Sequence, residues 1–459
     1  MRTHTKLRSS AFSNPLSLLL IEQVLNAYKR GLPTDLVAKT HLHIADAVAI
    51  GLAARDTEMA KLILESQLRG AGKGKCVLIG GGHASALAAT FINSALIHIL
   101  DFDDIYDAGR LHPGTVVLPA ALAAANLSGA SDKEIVASVA LASEVMCKLG
   151  VIASPKGEGP GSDWFLTQLF GYVAAAIAAG LVLKLSPKQL VSAVGLAYMQ
   201  VAGGKEAGFG TGSNARSIYP AYAAQGGLQA ALMAQAGVLG PVSALDGAAG
   251  LFKIYFGAKL SASKRSALLD FTVWHSQHVQ VKPWPSCRLS HPYVLVGMAA
   301  QEMNTAKPEA VIRVAVNASA AKLCKPLAGR RQPKTLQDAK YSIPFMTAFA
   351  LVKGAPTLVN LTQTSLTDPA ILATAARIVI DEVLPDKPGH PNALLTLEVD
   401  RKKILTERFK KSDLVMTAQD IESKFKACFE AAQHTTRSAK AWRLFCRGKI
   451  LKALIATNV

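Results

Sequence analysis

Apolar and small residues recur at helical spacing through most of the first 250 residues. Leu36, Ile44, Val48 and Leu52 lie near one face of a predicted helix, with Asp46 interrupting that face. Residues 16–64 divide into two or three such segments. Gly80-Gly81-Gly82 breaks the pattern, and Ser85 is placed to cap the helix that follows through Ala86, Ala89, Ile92, Ala95 and Ile99. Residues 119–127 read as another helix, with Pro119 in its first turn. Ser131-Asp132-Lys133-Glu134 has the form of a capping box for a helix over 135–149. Further helices are predicted at 165–184, at 187–201 behind a Ser186 cap, and at 221–236. Glycine-rich loops separate them at 156–163 and 203–213.

The pattern changes after about residue 270. Residues 310–315 and 376–383 are β-branched runs, and 394–400 alternate as a strand does. Helices at 291–304, 338–353 and 368–378 lie between them, and from about 416 the chain reads as helical to its end. The prediction is a mainly α protein. A large all-helical domain of residues 1–270, completed by 405–459, carries a smaller inserted α+β lid domain of residues 271–404.

Composition agrees with that division. Of 459 residues, 50% are hydrophobic, 18% charged and only 6% aromatic. That length suits two domains, and alanine-rich, aromatic-poor sequence suits closely packed helices. The longest apolar run, 170–183, is shorter than the roughly 18 residues of a membrane span, so a buried helix and no membrane partner are expected. Six cysteines (Cys76, Cys147, Cys287, Cys324, Cys428 and Cys446) form no CxxC pair, the usage of a reducing compartment. The cytoplasm is the expected location. The basic, acid-poor N-terminus with Arg2, Lys6 and Arg8 leaves organelle targeting as a secondary reading.

The net charge of +18 admits three readings: nucleic-acid binding, steering of an anionic substrate, or a solvated surface. The basic residues gather at the N-terminus and between Arg401 and Lys426 without interleaved aromatics. Neither a helix-turn-helix pattern nor Cys/His zinc spacing is found. This argues against nucleic acid and against a zinc site, and leaves a small anion or a generic surface.

Candidate chemistry lies in three segments. Residues 93–119 place His98, Asp101, Asp103 and Asp104 close to His112-Pro113-Gly114. A carboxylate beside an imidazole suits acid–base work near neutral pH. Helix capping by the same acids and a hard-cation site are the competing readings. Residues 281–293 stiffen Lys282, Cys287, Arg288 and His291 with prolines, and could present cations to a carboxylate. Residues 203–219 contain Gly208-Phe209-Gly210-Thr211-Gly212, but a nucleotide loop needs a strand before it and a helix inside it. Here a helix precedes it, so its expected use is to carry Arg216.

In this order the segments resemble the MmgE/PrpD family. Asn93, His98, Asp101-Phe102-Asp103-Asp104, His112-Pro113 and Leu118-Pro119-Ala120 match the family's first signature. Residues 282–288 with Ser290-His291-Pro292 resemble a second, and Asp338-Ala339-Lys340-Tyr341-Ser342 a third. The resemblance implies a helical domain with an α+β lid, a homodimer, and a lyase or isomerase without cofactor or metal. Its reactions would be dehydration, decarboxylation or epimerisation of a small carboxylate. It implies an acid–base role for His112, oriented by Asp101. Lys282 would be a second acid–base group or a carboxylate anchor. Arg216 and Arg288 would bind carboxylate, and His291, Cys287 and Asp104 would line the site. The chain departs from the family pattern at Ile105, Phe165, Arg216, Cys287 and Phe345. These departures point to a different substrate or, alternatively, to a catalytically silent member that binds a carboxylate or serves as a subunit.

Overall fold

The computed structural model describes residues 14–70, 74–153, 163–209, 213–257, 259–386 and 392–457. Arg2, Lys6, Arg8, most of the loop expected at 156–163 and part of that at 203–213 fall outside them.

The N-terminal pattern resolves into α1 (Leu16–Arg30), α2 (Thr34–Ala54) and α3 (Glu58–Leu68). A short hairpin of β1 (Cys76–Val77) and β2 (His83–Ala84) turns on three glycines that all have positive φ, a conformation glycine adopts without steric cost. Helix α4 (Ala86–His98) begins where Ser85 accepts the Ala88 amide. Helix α5 (Gly114–Ser128) starts five residues earlier than its proline suggests, with Pro119 inside it. Proline has no N–H, so the Thr115 carbonyl four residues back loses its helical donor. The buried Ser94 hydroxyl replaces it at 2.6 Å.

Helices α6 (Asp132–Ala153), α7 (Leu166–Val182), α8 (Pro187–Tyr198) and α9 (Tyr219–Gln235) complete the body. Every residue of α7 is buried. The small-residue content works as expected: a Cβ at Gly227 of α9 would stand 2.4 Å from the Ala175 Cβ of α7, so the two axes meet only because glycine is there. Helices α2 and α6 are long and apolar enough to cross a membrane, but both are packed into this core, α6 with 83% of its most apolar stretch buried.

The second core surrounds a four-stranded sheet of order β4-β3-β5-β6, with β3 (Val311–Val316), β4 (Ile378–Glu382), β5 (Leu394–Val399) and β6 (Lys402–Arg408). β3 runs parallel to β4; the other pairs are antiparallel. Helices α10 (His291–Ala299), α11 (Ile343–Lys353) and α12 (Pro369–Ala376) pack with it. Helices α13 (Ala418–Ala431), α14 (Thr435–Cys446) and α15 (Ile450–Ala456) return to the first core.

The mainly α, two-domain architecture is as expected, but the cores divide elsewhere than at 270/271 and 404/405. They separate between Val281 and Trp284 and between Leu414 and Ile421. Two local causes account for this. Buried Glu144 of α6 accepts the amides of His275 and Ser276 at 3.1 and 2.7 Å, which keeps residues 271–281 with the body. Residues 402–408 form the outer strand of the lid sheet, paired along β5.

Candidate active site

The site begins where α4 ends. Asp101 has φ +52°, a left-handed conformation that costs a residue with a Cβ about 1 kcal/mol. The helix therefore does not continue through Asp104. The turn carries Asp103 back to His98, whose Nδ1 donates to Asp103 Oδ2 at 2.8 Å.

Three consecutive carbonyls of this turn each receive a buried lysine ammonium. Lys340 donates to Leu100 O at 3.0 Å, Lys282 to Asp101 O at 3.1 Å and Lys424 to Phe102 O at 2.8 Å. The lysines come from the lid, the domain junction and α13. Lys424 also pairs with Asp46 at 2.9 Å and lies 3.7 Å over the Phe102 ring. This explains the acid that interrupts the apolar face of α2. Lys282 pairs with Asp101 Oδ1 at 2.5 Å and approaches Asp103 Oδ1 at 3.8 Å.

Beyond the turn, both oxygens of Asp104 accept the Gly114 amide at 3.0 Å, at the start of α5. A Cβ at Gly114 would lie 2.8 Å from that carboxylate. A carboxylate at a helix N-terminus is favoured by the exposed amides and the helix dipole.

His112 sits against this floor. Its Nδ1 is 2.6 Å from the Asp104 carbonyl and 3.4 Å from Asp103 Oδ2. A carbonyl only accepts, so we assign the proton to Nδ1 and the lone pair to Nε2. The His112 amide donates to Thr167 Oγ1 at 3.1 Å. Burial, with Lys282 and His98, pushes the imidazole down to about 4, against the opposing pull of Asp103 and Asp101. Burial raises Asp103, but His98, His112 and Lys282 outweigh it and hold it at about 2. Asp101 is likewise lifted by burial and carried well below the carboxylate range, chiefly by Lys282. Burial lowers Lys282, but Asp101 and Asp103 more than reverse this, so the ammonium stays charged.

A wall of rings rises from the floor. The His98 ring is 5.3 Å from His112 and 5.0 Å from Tyr219; Tyr219 stacks on Phe165 at 4.2 Å. The Arg216 guanidinium lies 5.5 Å from the Phe165 ring and 3.6 Å over that of Tyr341, which belongs to the lid. Its Nη1 donates to Gly208 O at 3.1 Å, while its Nε is buried without a partner among the described residues. Lys205 adds positive charge; burial, then Arg216 and Arg110, push it down to about 8. The Cys287 thiol is buried and raised by that burial, and it feels the Arg216 charge.

The structure thus brings together Asp101, His112, Lys282, Arg216 and Cys287. It does not put the other expected residues to the expected use. His112 is oriented by Asp103 and the Asp104 carbonyl, whereas the Asp101 carboxylate is taken by Lys282. Arg288 forms a bidentate pair with Asp107, at 2.9 and 2.7 Å, and bonds Gln280 at 2.5 Å, so an internal carboxylate occupies its fork. His291 is fully buried against Trp284 and bonds Ser286 O at 3.2 Å, which folds the proline loop. The Asp104 carboxylate caps α5 and lines a separate small cavity with His43 and Lys39. Sequence reasoning missed the tasks of Asp103, Tyr219, Tyr341, Lys340 and Lys424. Lys340 and Tyr341 were visible only as part of a family signature. Among the described residues, no three His, Cys, Asp or Glu side chains gather as metal ligands.

Two domains closing on an acid–histidine floor and a guanidinium wall define the class: a mainly helical, two-domain protein with a charged interdomain site. Residues 20–263 match the MmgE/PrpD N-terminal domain and residues 284–444 the MmgE/PrpD C-terminal domain. The chain belongs to the MmgE/PrpD family. It is similar to the cis-aconitate decarboxylase of Aspergillus terreus, 25% identical over 273 residues, which is 57% of this chain and 55% of the relative. It also resembles the cis-aconitate decarboxylase-like protein oryM of Aspergillus oryzae, 30% identical over 49% of this chain and 48% of the relative. The human cis-aconitate decarboxylase is 24% identical over 74% of this chain and 72% of the relative. The match thus spans about half the length of the fungal relatives.

Proposed function

We propose that this protein is a lyase or isomerase that moves a proton next to the carboxylate of a small organic acid, without a cofactor. The observation that carries this reading is His112. It is neutral, its Nδ1–H is fixed on a backbone carbonyl, and its Nε2 keeps a lone pair beside the rings that lead to Arg216. A neutral imidazole with a fixed tautomer is suited to take a proton from carbon. The Arg216 Nε has a bond to give, and a carboxylate is the natural acceptor. The enolate-like charge that follows proton removal, or loss of a carboxyl group, would face the Lys282 ammonium. Lys282 then acts as a fixed cation and not as a base.

The decarboxylase relatives support lyase chemistry on small carboxylates. Phe165 and Cys287, at which the chain departs from the family pattern, favour a substrate other than cis-aconitate. The same substitutions favour the second reading, a silent member that only binds a carboxylate.

Proton NMR in deuterium oxide separates the two, over tricarboxylates, 2-hydroxy acids and amino-dicarboxylates. Deuterium entry or a new product is expected with one of them. His112→Ala should lower that rate by about 100-fold or more with the fold intact. Binding without any exchange or product would establish the silent reading. Full turnover by His112→Ala would remove His112 from the mechanism.

A further inference from the structure

The three lysines that hold the acidic turn are not equivalent. Lys282 and Lys424 also pair with carboxylates, Asp101 and Asp46. Lys340 brings its ammonium to a carbonyl, that of Leu100, at 3.0 Å and from the other domain. Leu100 directly precedes Asp101, the residue in the strained left-handed turn. The next lid residue, Tyr341, carries the ring 3.6 Å under Arg216. The Lys340 carbonyl accepts the Cys287 amide at 3.1 Å, which ties the same short segment to the proline loop after Lys282. One dipeptide of the lid therefore touches the floor, the wall and the junction of the site.

We propose that Lys340 is a positioning residue: its ammonium latches the closed lid onto the Leu100 carbonyl and so fixes the turn that presents Asp101 and Asp103 to His112 and Lys282. A charged donor to a carbonyl is roughly twice as strong as a neutral one, and this bond is partly buried. Without the latch, the left-handed residue would have one restraint fewer, and its carboxylate would move relative to Lys282. The kinetic part of this inference rests on the proposed acid–base function; the structural part does not.

The test compares wild type, Lys340→Met and Lys340→Arg in the full chain by amide hydrogen exchange and by turnover. Lys340→Met is expected to speed exchange in peptides spanning residues 99–105 by tenfold or more while leaving residues 166–182 of α7 unchanged. On the substrate found by the NMR screen, its kcat should fall about tenfold with KM within threefold. Lys340→Arg, which keeps charge and donor, should recover at least half of both. Equal acceleration in α7 and in the turn would overturn the latch and make Lys340 an ordinary packing residue. Wild-type exchange at 99–105, wild-type kcat, or failure of arginine to rescue would overturn it as well. If no substrate turns over even with wild type, the proposed function fails while the exchange comparison still decides the latch.

Discussion

The floor and the wall of this site solve opposite problems. On the floor, each acid meets a donor of the protein itself: Asp101 the Lys282 ammonium, Asp103 the His98 imidazole, Asp104 the Gly114 amide. On the wall, Arg216 lies over two rings with its Nε unpartnered among the described residues. An acid whose carboxylate already holds an internal donor is committed first to shape and field. A cation with a free donor is available to a ligand. The floor should therefore govern stability and the wall should govern affinity, and this division can be broken by mutation.

The largest effect is expected on the floor. Lys282→Met leaves Asp101 buried beside no cation of its own, and breaking a buried ion pair from one side costs about 3–5 kcal/mol. Denaturant unfolding should show a loss of that size. Lys282→Met combined with Asp101→Asn should recover part of it, because the second change removes the stranded charge. A loss below about 1 kcal/mol for the single variant would mean that the floor is not the rigid half of the site.

On the wall the order should reverse. Arg216→Leu removes the cation but keeps an apolar group against Phe165 and Tyr341. Stability should fall by about 2 kcal/mol or less, the size of a desolvated cation–π contact and less than the floor variant loses. KM for an anionic substrate should rise about 10- to 100-fold, the cost of losing a hydrogen bond between charged groups. An unchanged KM with a large loss of stability would mean that Arg216 belongs to the lid closure and not to the ligand.

The same contrast explains what the sequence made legible. Helix positions, the α+β lid and the proximity of Asp101, His112 and Lys282 could be read because they rest on periodicity or on a contiguous signature. The pairings could not. A helix carried past His98 puts Asp101 and Asp104 on one face, and only the left-handed Asp101 turns the chain so that Asp103 becomes the partner of both histidines. Arg288 looked available because Asp107, its partner, lies 181 residues away. Asp46 looked like a flaw in a helix because Lys424 lies 378 residues away. Long-range pairs of charges leave no local pattern. The domain limits shifted for other reasons: Glu144 accepts backbone amides far along the chain, and β6 pairs with β5 across a tight turn and so stays with the lid sheet.

The smallest expected effect concerns pH and belongs to the boundary between floor and wall. His112 is pushed from 6.5 to about 4, by burial first and by Lys282 and His98 next. Its neutral form, the one that takes a proton, therefore persists well below the usual histidine range. At about pH 5.5 an unshifted imidazole would be only about one-tenth neutral, whereas His112 should be almost wholly so, a difference of about tenfold in kcat/KM. The acid limb of the profile should fall near 4. The sign for stability follows from the same shift. Between 6.5 and about 4 the unfolded chain binds a proton that folded His112 refuses, so its contribution is complete above 6.5 and is lost as pH falls through about 4. Asp103, held at about 2, loses its own contribution later, as pH falls from the ordinary carboxylate value of 3.8 through about 2. Stability should thus soften before the floor's acid pairs titrate. If the kcat/KM profile instead breaks near 6.5, His112 titrates as an exposed histidine would, and the fixed tautomer on the Asp104 carbonyl is not what sets the chemistry.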